Sequence, residues 1–235
     1  MNLTKNDIKN LKDKKFRKEH SFFMLEGERF CKDLLDTNIE IVYSITSDEK
    51  IKGFPNLCLV SERLMNMLST TQTGSDLICI CRFIPPPVAS IGNALILDHV
   101  QDPGNVGTLI RSAVAFGFED VYLVDGADPF NEKVVRSSAG TILKARIHLN
   151  SFDEVKKNKS KIADVFLTAD MGGENIKDFR KGNKKVAVII GNEGSGVSKE
   201  FRELSDKTVR IPMSKKVESL NAGVAGSIIM QKLGE

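Results

Sequence analysis

Three consecutive prolines, Pro85-Pro86-Pro87, constrain what this chain can fold into more than any other feature. Proline has no N–H to give to a sheet ladder, and a run of three favours a stiff, extended connection. The run therefore divides the 235 residues into an N-terminal domain over 1–84, a proline linker over 85–90 and a C-terminal domain over 91–235. Before it, Phe22 to Leu25, Ile39 to Ile45 and Leu77 to Phe83 read as strands, and Glu28 to Leu35 and Ser61 to Leu68 as helices. That is a small α/β module. After it, Ala94 to Leu97, Val121 to Val124, Asp164 to Leu167, Val186 to Ile190 and Thr208 to Ile211 read as short strands. Helical segments lie between or after them, one from about Asn105 to Phe116. Such alternation predicts an α/β fold with a mostly parallel sheet covered on both faces and its ligands at the carboxyl ends of strands.

Composition narrows the class. With 41% hydrophobic and 28% charged residues, the chain has the make-up of a globular protein rather than a disordered one. The net charge of +3 is mild. Lys5, Lys9, Lys12, Lys14, Lys15, Arg17 and Lys18 nevertheless crowd one end, either as an arm that neutralises phosphates or as a solvated helix face. No apolar run approaches the ~20 residues that span a bilayer, and polar residues interrupt the N-terminus where a signal peptide would need an apolar core. Cys31, Cys58, Cys79 and Cys81 lack the spacing of a disulfide framework, which points to a reducing cytoplasm. Cys79 and Cys81 would share a strand face, but two further ligands are missing, so core packing is expected and no metal.

Three segments of the C-terminal domain break their local pattern with glycines and polar groups. In the first, Val106, Leu109, Ile110, Ala113 and Val114 form an apolar helical stripe, and Arg111 lies off it, aligned with Gly107. Backbone N–H groups near Asn105 would favour an anion, and the guanidinium could grip a phosphate in bidentate fashion. The segment alone also fits an arginine on an ordinary surface helix. In the second, Gly191-Asn192-Glu193-Gly194-Ser195-Gly196 follows a buried strand. Its glycines resemble a P-loop, but Val197 stands where that loop needs lysine, and the spacing fails the dinucleotide fingerprint. A close-approach loop carrying Glu193 remains, with a ligand role expected. In the third, Ile211-Pro212-Met213 ends a strand, and Ser219-Leu220-Asn221 opens a final helix with Ser219 at the N-cap. Gly223 and Gly226 in that helix imply that another backbone packs very near.

Taken in order, these segments resemble the three motifs of the SpoU/TrmH-type RNA ribose 2′-O-methyltransferases of the SPOUT class: Asn105, Gly107 and Arg111; Gly191 to Gly194; and Pro212 and Met213 with Ser219, Leu220 and Asn221. The resemblance is close over about the last 145 residues. More weakly, the first domain resembles a ribosomal-protein-like RNA-binding module. The family implies a C-terminal trefoil knot, a homodimer whose interface helps build the site, and S-adenosyl-L-methionine bound among the knotted loops. By the same correspondence Gly191, Ile211, Met213 and Leu220 would contact the cofactor, with Thr168 bordering the pocket. The implied reaction moves a methyl group to a ribose 2′-hydroxyl. Arg111 would hold an RNA phosphate and stabilise the developing alkoxide, since a guanidinium, with a pKa above ~12, is a poor base. Asn105, Glu193, Ser219 and Asn221 would orient arginine and ribose. Ala222-Gly223 departs from the valine and serine common in the family. His20, His99 and His148 are expected in structural or solvent-facing roles. Ribosomal RNA is the first expectation for the substrate and transfer RNA the alternative. The competing readings are an RNA-binding protein without catalysis and, less well, a nucleotide hydrolase.

Overall fold

The computed structural model describes residues 4–11, 13–70, 74–214 and 216–234, without the side chains of Lys5, Lys9, Lys14 and Lys18. Lys12 of the basic arm thus lies outside the described residues. By contact the chain divides into two units, Met1–Ile84 with Phe130–Val135, and Pro85–Pro129 with Arg136–Glu235. A division at the prolines alone would have left Phe130–Val135 in the second unit. They group with the first, where the Phe130 ring stacks on Phe23 with centroids 4.4 Å apart.

The first unit contains α1 (Lys5–Asn10), α2 (Lys14–His20), β1 (Phe22–Glu26), α3 (Glu28–Leu35), β2 (Ile41–Thr46), β3 (Leu57–Leu59), α4 (Glu62–Leu68) and β4 (Leu77–Arg82). Its four strands lie in the order β1-β4-β2-β3. The side chain of Asp13 caps α2 by accepting from Phe16 N, and that of Ser61 caps α4 by accepting from Leu64 N. One sheet face buries Phe22, Met24, Ile45, Ile78 and Ile80 against Met65 and Leu68 of α4. Ile8 and Leu11 join that cluster, so the basic stretch is packed helix rather than a loose arm. Arg17, expected among its phosphate-ready cations, is buried and donates to the Leu11 carbonyl. Cys31, Cys79 and Cys81 are buried thiols, Cys31 directed at the Leu25 carbonyl. Burial pushes the Cys81 thiol well up.

The second unit carries β5 (Ala94–Asp98), α5 (Pro103–Ala115), β6 (Asp120–Val124), the last two residues of α6 (Glu132–Ser137), β7 (Arg146–Leu149), α7 (Phe152–Lys157), α8 (Lys159–Ile162), β8 (Val165–Asn175), β9 (Val186–Ile190), α9 (Lys199–Leu204), β10 (Lys207–Arg210) and α10 (Ala222–Gly234). Its six strands run parallel in the order β10-β8-β9-β5-β6-β7. The chain starts at β5, builds outward through β6 and β7, then crosses back so that β9 lies beside β5. That reversal creates a crevice at the carboxyl ends of β5 and β9, where α/β sheets place their ligands. All five residues of β5 and of β9 are buried, as expected of strands covered on both faces.

At the opposite, amino end of the sheet, Asp120 is fully buried and accepts from Arg146 Nη2 at 2.7 Å, from Ile91 N at 2.9 Å, and pairs with His148 Nε2 at 2.9 Å. Burial alone would raise this carboxyl, but these partners outweigh it and hold it well below the usual carboxylate range. Tyr122 stacks on His148 and donates to the Val88 carbonyl at 2.6 Å, which pins the residues following the prolines to this unit. Desolvation pushes the Tyr122 phenol up to about 12.

Two elements that bear on the site depart from the sequence reading. β8 is much longer than Asp164 to Leu167, and its register against β10 jumps from Thr208↔Thr168 to Val209↔Glu174. Residues 169–173 are thereby looped out of the ladder, which no alternation pattern encodes. The final helix begins at Ala222, later than Ser219. Asn221, with its Oδ1 accepting from Val224 N at 3.2 Å, performs the capping role assigned to Ser219.

Candidate active site

Above the carboxyl ends of β8, β9 and β10 lies a cavity of about 490 Å³. Ile190, Val209, Ile211, Met213, Leu220, Ala225 and Ile229 give it an apolar wall, and Asp170, Glu193, Arg202 and Arg210 supply its charged groups. Gly191, Ser219 and Asn221 also line it. The second and third sequence segments therefore meet in one site.

The glycine loop is a closed structure. Asn192 N donates to Gly196 O at 3.0 Å and Gly196 N to Asn192 O at 2.9 Å. Inside this bridge Asn192 Oδ1 accepts from Gly194 N, Ser195 N and Ser195 Oγ. A Cβ on Gly191 would lie 2.2 Å from Gly196 C and Val197 N. That glycine is therefore required by the loop's own return path rather than by a visiting ligand.

Glu193 reaches out of this loop to the first segment. Its carboxylate accepts from Gln101 N at 3.3 Å, Asp102 N at 3.2 Å and Asn105 Nδ2 at 2.8 Å. Burial would raise the carboxyl, yet the donors from Asn105, Asp102 and Gln101 hold it below its ordinary value. The backbone N–H groups expected to attract an external anion thus already have an internal one. Asp102 caps α5 by accepting from Asn105 N at 2.9 Å. Asn221 Nδ2 then donates to Asn105 Oδ1 at 2.8 Å. One buried carboxamide therefore joins all three segments, with donor and acceptor both engaged.

Three predicted residues fall outside the cavity: Asn105, which is bonded to the lining residues Glu193 and Asn221, and Thr168 and Arg111. Thr168 does not line it. The residue is fully buried and its hydroxyl pairs with Ser205 Oγ at 2.5 Å, while the looped-out Ala169, Asp170 and Met171 form that wall instead. Arg111 is exposed on α5, has no hydrogen-bond or ion-pair partner among the described residues, and does not line the cavity of its own chain. Six residues beyond Asn105, it stands about 9 Å further along the helix and about a third of a turn round from it. Gly107 is buried one helical turn before the exposed Arg111. Gly223 and Gly226 of α10 face side chains, while at the helix end a Cβ on Gly234 would meet the Phe116 carbonyl at 2.7 Å. A Cβ on Gly226 would come within 2.3 Å of Leu109 Cδ2, and one on Gly223 within 3.3 Å of Thr108.

Asp170, Arg202 and Arg210 were not singled out in the sequence. Asp170 and Arg202 are joined by a salt bridge of 2.6 Å, and only the jump in β8 register brings Asp170 to the wall. His99 takes a left-handed backbone (φ 56°) beside the site, its Nδ1 2.6 Å from the buried Asp98 and its carbonyl accepting from Asn192 Nδ2. No cluster of potential metal ligands occurs among the described residues, and no helix is long and apolar enough to cross a membrane.

A parallel α/β sheet with a small-molecule cavity at the carboxyl ends of its strands and polar groups converging on the rim is the architecture of a ligand-binding α/β enzyme. The SpoU rRNA Methylase family model matches residues 92–231, and the MRM3-like substrate binding domain matches residues 4–79. The chain belongs to the SpoU rRNA methylase family. It is 32% identical over 237 aligned positions, covering 97% of this chain and 94% of the relative, to the 23S rRNA (guanosine(2553)-2'-O)-methyltransferase RlmP of Bacillus subtilis. Among solved structures it superposes on an AdoMet-bound rRNA methyltransferase from Sinorhizobium meliloti with a TM-score of 0.86 and 25% identity, over 97% of this chain and 92% of that one. It shares the fold of AviRb from Streptomyces viridochromogenes, with a TM-score of 0.84 at 22% identity over 99% of this chain and 97% of that one.

Proposed function

We propose that this protein transfers a methyl group from S-adenosyl-L-methionine to a ribose 2′-hydroxyl of RNA in the cytoplasm, with ribosomal RNA the substrate. The observation that carries the reading is the hydrogen-bonded chain Glu193–Asn105–Asn221, which ties the first family motif to the two that line the cavity. Family membership and the rRNA-modifying relative in Bacillus subtilis support it.

The cavity suits this cofactor. Its volume lies within the usual range for small-ligand sites, its walls are apolar enough for an adenosyl group, and Glu193 and Asp170 offer carboxylates to a cationic ligand. Gly191, Ile211, Met213 and Leu220 would hold it, and what it supplies when bound is an electrophilic methyl group. The remaining work belongs to the chain: to align the ribose oxygen and to stabilise charge as its proton leaves, for which positioning provides a large share of acceleration. Glu193 and Asn221 fix Asn105, and through it the start of α5. The exposed Ser219 is free to face the ribose, and Arg111 to grip a phosphate and stabilise the alkoxide through its planar fork.

Because Arg111 lies outside its own cavity, the reading requires a second copy of the chain. Val224 and Ile228 of α10 are 46% and 40% exposed, and α10 packs along α5, which carries Arg111. We place a homodimer interface on this face, with each Arg111 serving its partner's cavity. The family's trefoil knot belongs to the same reading: after the edge strand β10 the chain returns to pack α10 on α5 and β9. The N-terminal unit is assigned to RNA binding, in keeping with its substrate-binding family match.

The test is purified protein with tritiated S-adenosylmethionine and ribosomal RNA, with reverse-transcription mapping of 2′-O-methylation. Label incorporated at one ribose is the expected result. Incorporation into transfer RNA alone would redirect the substrate, and cofactor binding without transfer to either RNA would leave a binding protein.

A further inference from the structure

We infer that the Asp170–Arg202 ion pair is a strut that sets the separation of two cavity walls, making Arg202 a positioning residue for the cofactor; the inference rests on the methyl-transfer reading above.

One wall is the stretch 169–173, looped out of the β8 ladder at the register jump. It has little of its own to hold its shape. Gly173 passes so near β10 that a Cβ there would meet Thr208 C and O at 2.6 Å, and Asp170 Oδ1 accepts from Gly172 N at 2.9 Å. The other wall is the glycine loop, which ends at Val197. Arg202 on α9 joins the two. Its Nε donates to Val197 O at 2.8 Å, and its Nη1 lies 2.6 Å from Asp170 Oδ2. A single planar guanidinium thus fixes two walls of the cavity that it also lines. Lysine could keep the charge but could not make both bonds in that fixed geometry.

The side chains of Arg202 and Asp170 are 45% and 25% exposed, which limits what the pair adds to global stability. Its effect should therefore appear locally, in the shape of the cavity. That separates a strut from an ordinary surface salt bridge.

The experiment compares wild type with Arg202→Ala, Arg202→Lys and the reversed pair Asp170→Arg/Arg202→Asp, all as full chains. In cofactor-free protein, hydrogen exchange at the 169–173 amides should quicken in Arg202→Ala while β5 keeps its protection. By calorimetry the Kd for S-adenosylmethionine should rise about fivefold in Arg202→Ala, the scale of one partly exposed ion pair. The cofactor KM should rise with it, more than kcat falls. Arg202→Lys should fall between wild type and alanine, and the reversed pair should regain part of the loss. Unchanged exchange and unchanged Kd in Arg202→Ala would overturn the strut, as would exchange that quickens uniformly across the sheet. Absence of cofactor binding by wild type would sink the parent reading instead, with the exchange measurement still deciding the strut.

Discussion

Asn221 donates its side-chain N–H to the carboxamide oxygen of Asn105 at 2.8 Å, although 116 positions separate the two in sequence. Asn105 in turn donates one N–H to Glu193, so both ends of its amide are engaged within the protein. These bonds suit the positioning role proposed for Asn105.

Asn105→Asp should therefore be harmful despite its shape. It keeps an acceptor for Asn221 but sets a second carboxylate against Glu193. A loss of about 1–3 kcal/mol, typical of a buried polar group left without its partner, is expected in urea unfolding at neutral pH, with a fall in methyl transfer at saturating cofactor.

Arg111→Ala should leave calorimetric S-adenosylmethionine binding unchanged and abolish most methyl transfer, with Arg111→Lys a poor substitute because it lacks the fork. Mixing Arg111→Ala with a chain whose cavity is blocked, such as Leu220→Trp, should restore part of the activity through mixed dimers. Failure of the mixture, with dimers formed, would place Arg111 at its own chain's site.

Asp120 predicts an acid-sensitive stability remote from the site. Its carboxyl is lowered in the fold, so its contribution is present above the unfolded carboxylate range near pH 4 and is lost as pH falls toward the folded value. Asp120→Asn should cost about 3 kcal/mol in urea unfolding at pH 7, as expected when a buried charge pair loses one partner. The gap to wild type should narrow below about pH 4.

The glycines of α10 should part company. Gly226→Ala drives a Cβ to within 2.3 Å of the buried Leu109 and 3.2 Å of Ile190, an overpacking that costs about 1–3 kcal/mol. Gly223→Ala meets Asn221 Oδ1 at 3.1 Å and Thr108 at 3.3 Å, and about 1 kcal/mol of helix propensity offsets that crowding. Thermal melts of the two variants should show a clear fall for the first and little change for the second.

Much of this was legible in the sequence because it depends on local pattern. The buried runs Ala94 to Leu97 and Val186 to Ile190 gave away the parallel strands, and the glycine and asparagine motifs marked the residues that meet at the cavity. What could not be read depends on register and tertiary closure. The expected end of β8 at Leu167 misses the looped-out stretch, so Thr168 was placed on the wall in the position of Ala169 to Met171. Arg202 was invisible for the same reason, since its partner reaches the cavity only through that loop. β7 and the short β3 escaped because four-residue and three-residue strands barely show a period. Arg17 looked like a surface cation until Leu11 and Ile8 carried its helices into the core.

The bridge that closes the 191–196 loop has a consequence for discrimination among nucleotides. The amides of Asn192, Gly194, Ser195 and Gly196 are all engaged within the loop, and the nearest side chain reaching out of it is the acidic Glu193. A polyphosphate tail would meet repulsion where a phosphate-binding loop offers a nest of N–H groups. The same closure means that the loop is already ordered before any ligand arrives, so an entering nucleoside meets a preformed wall.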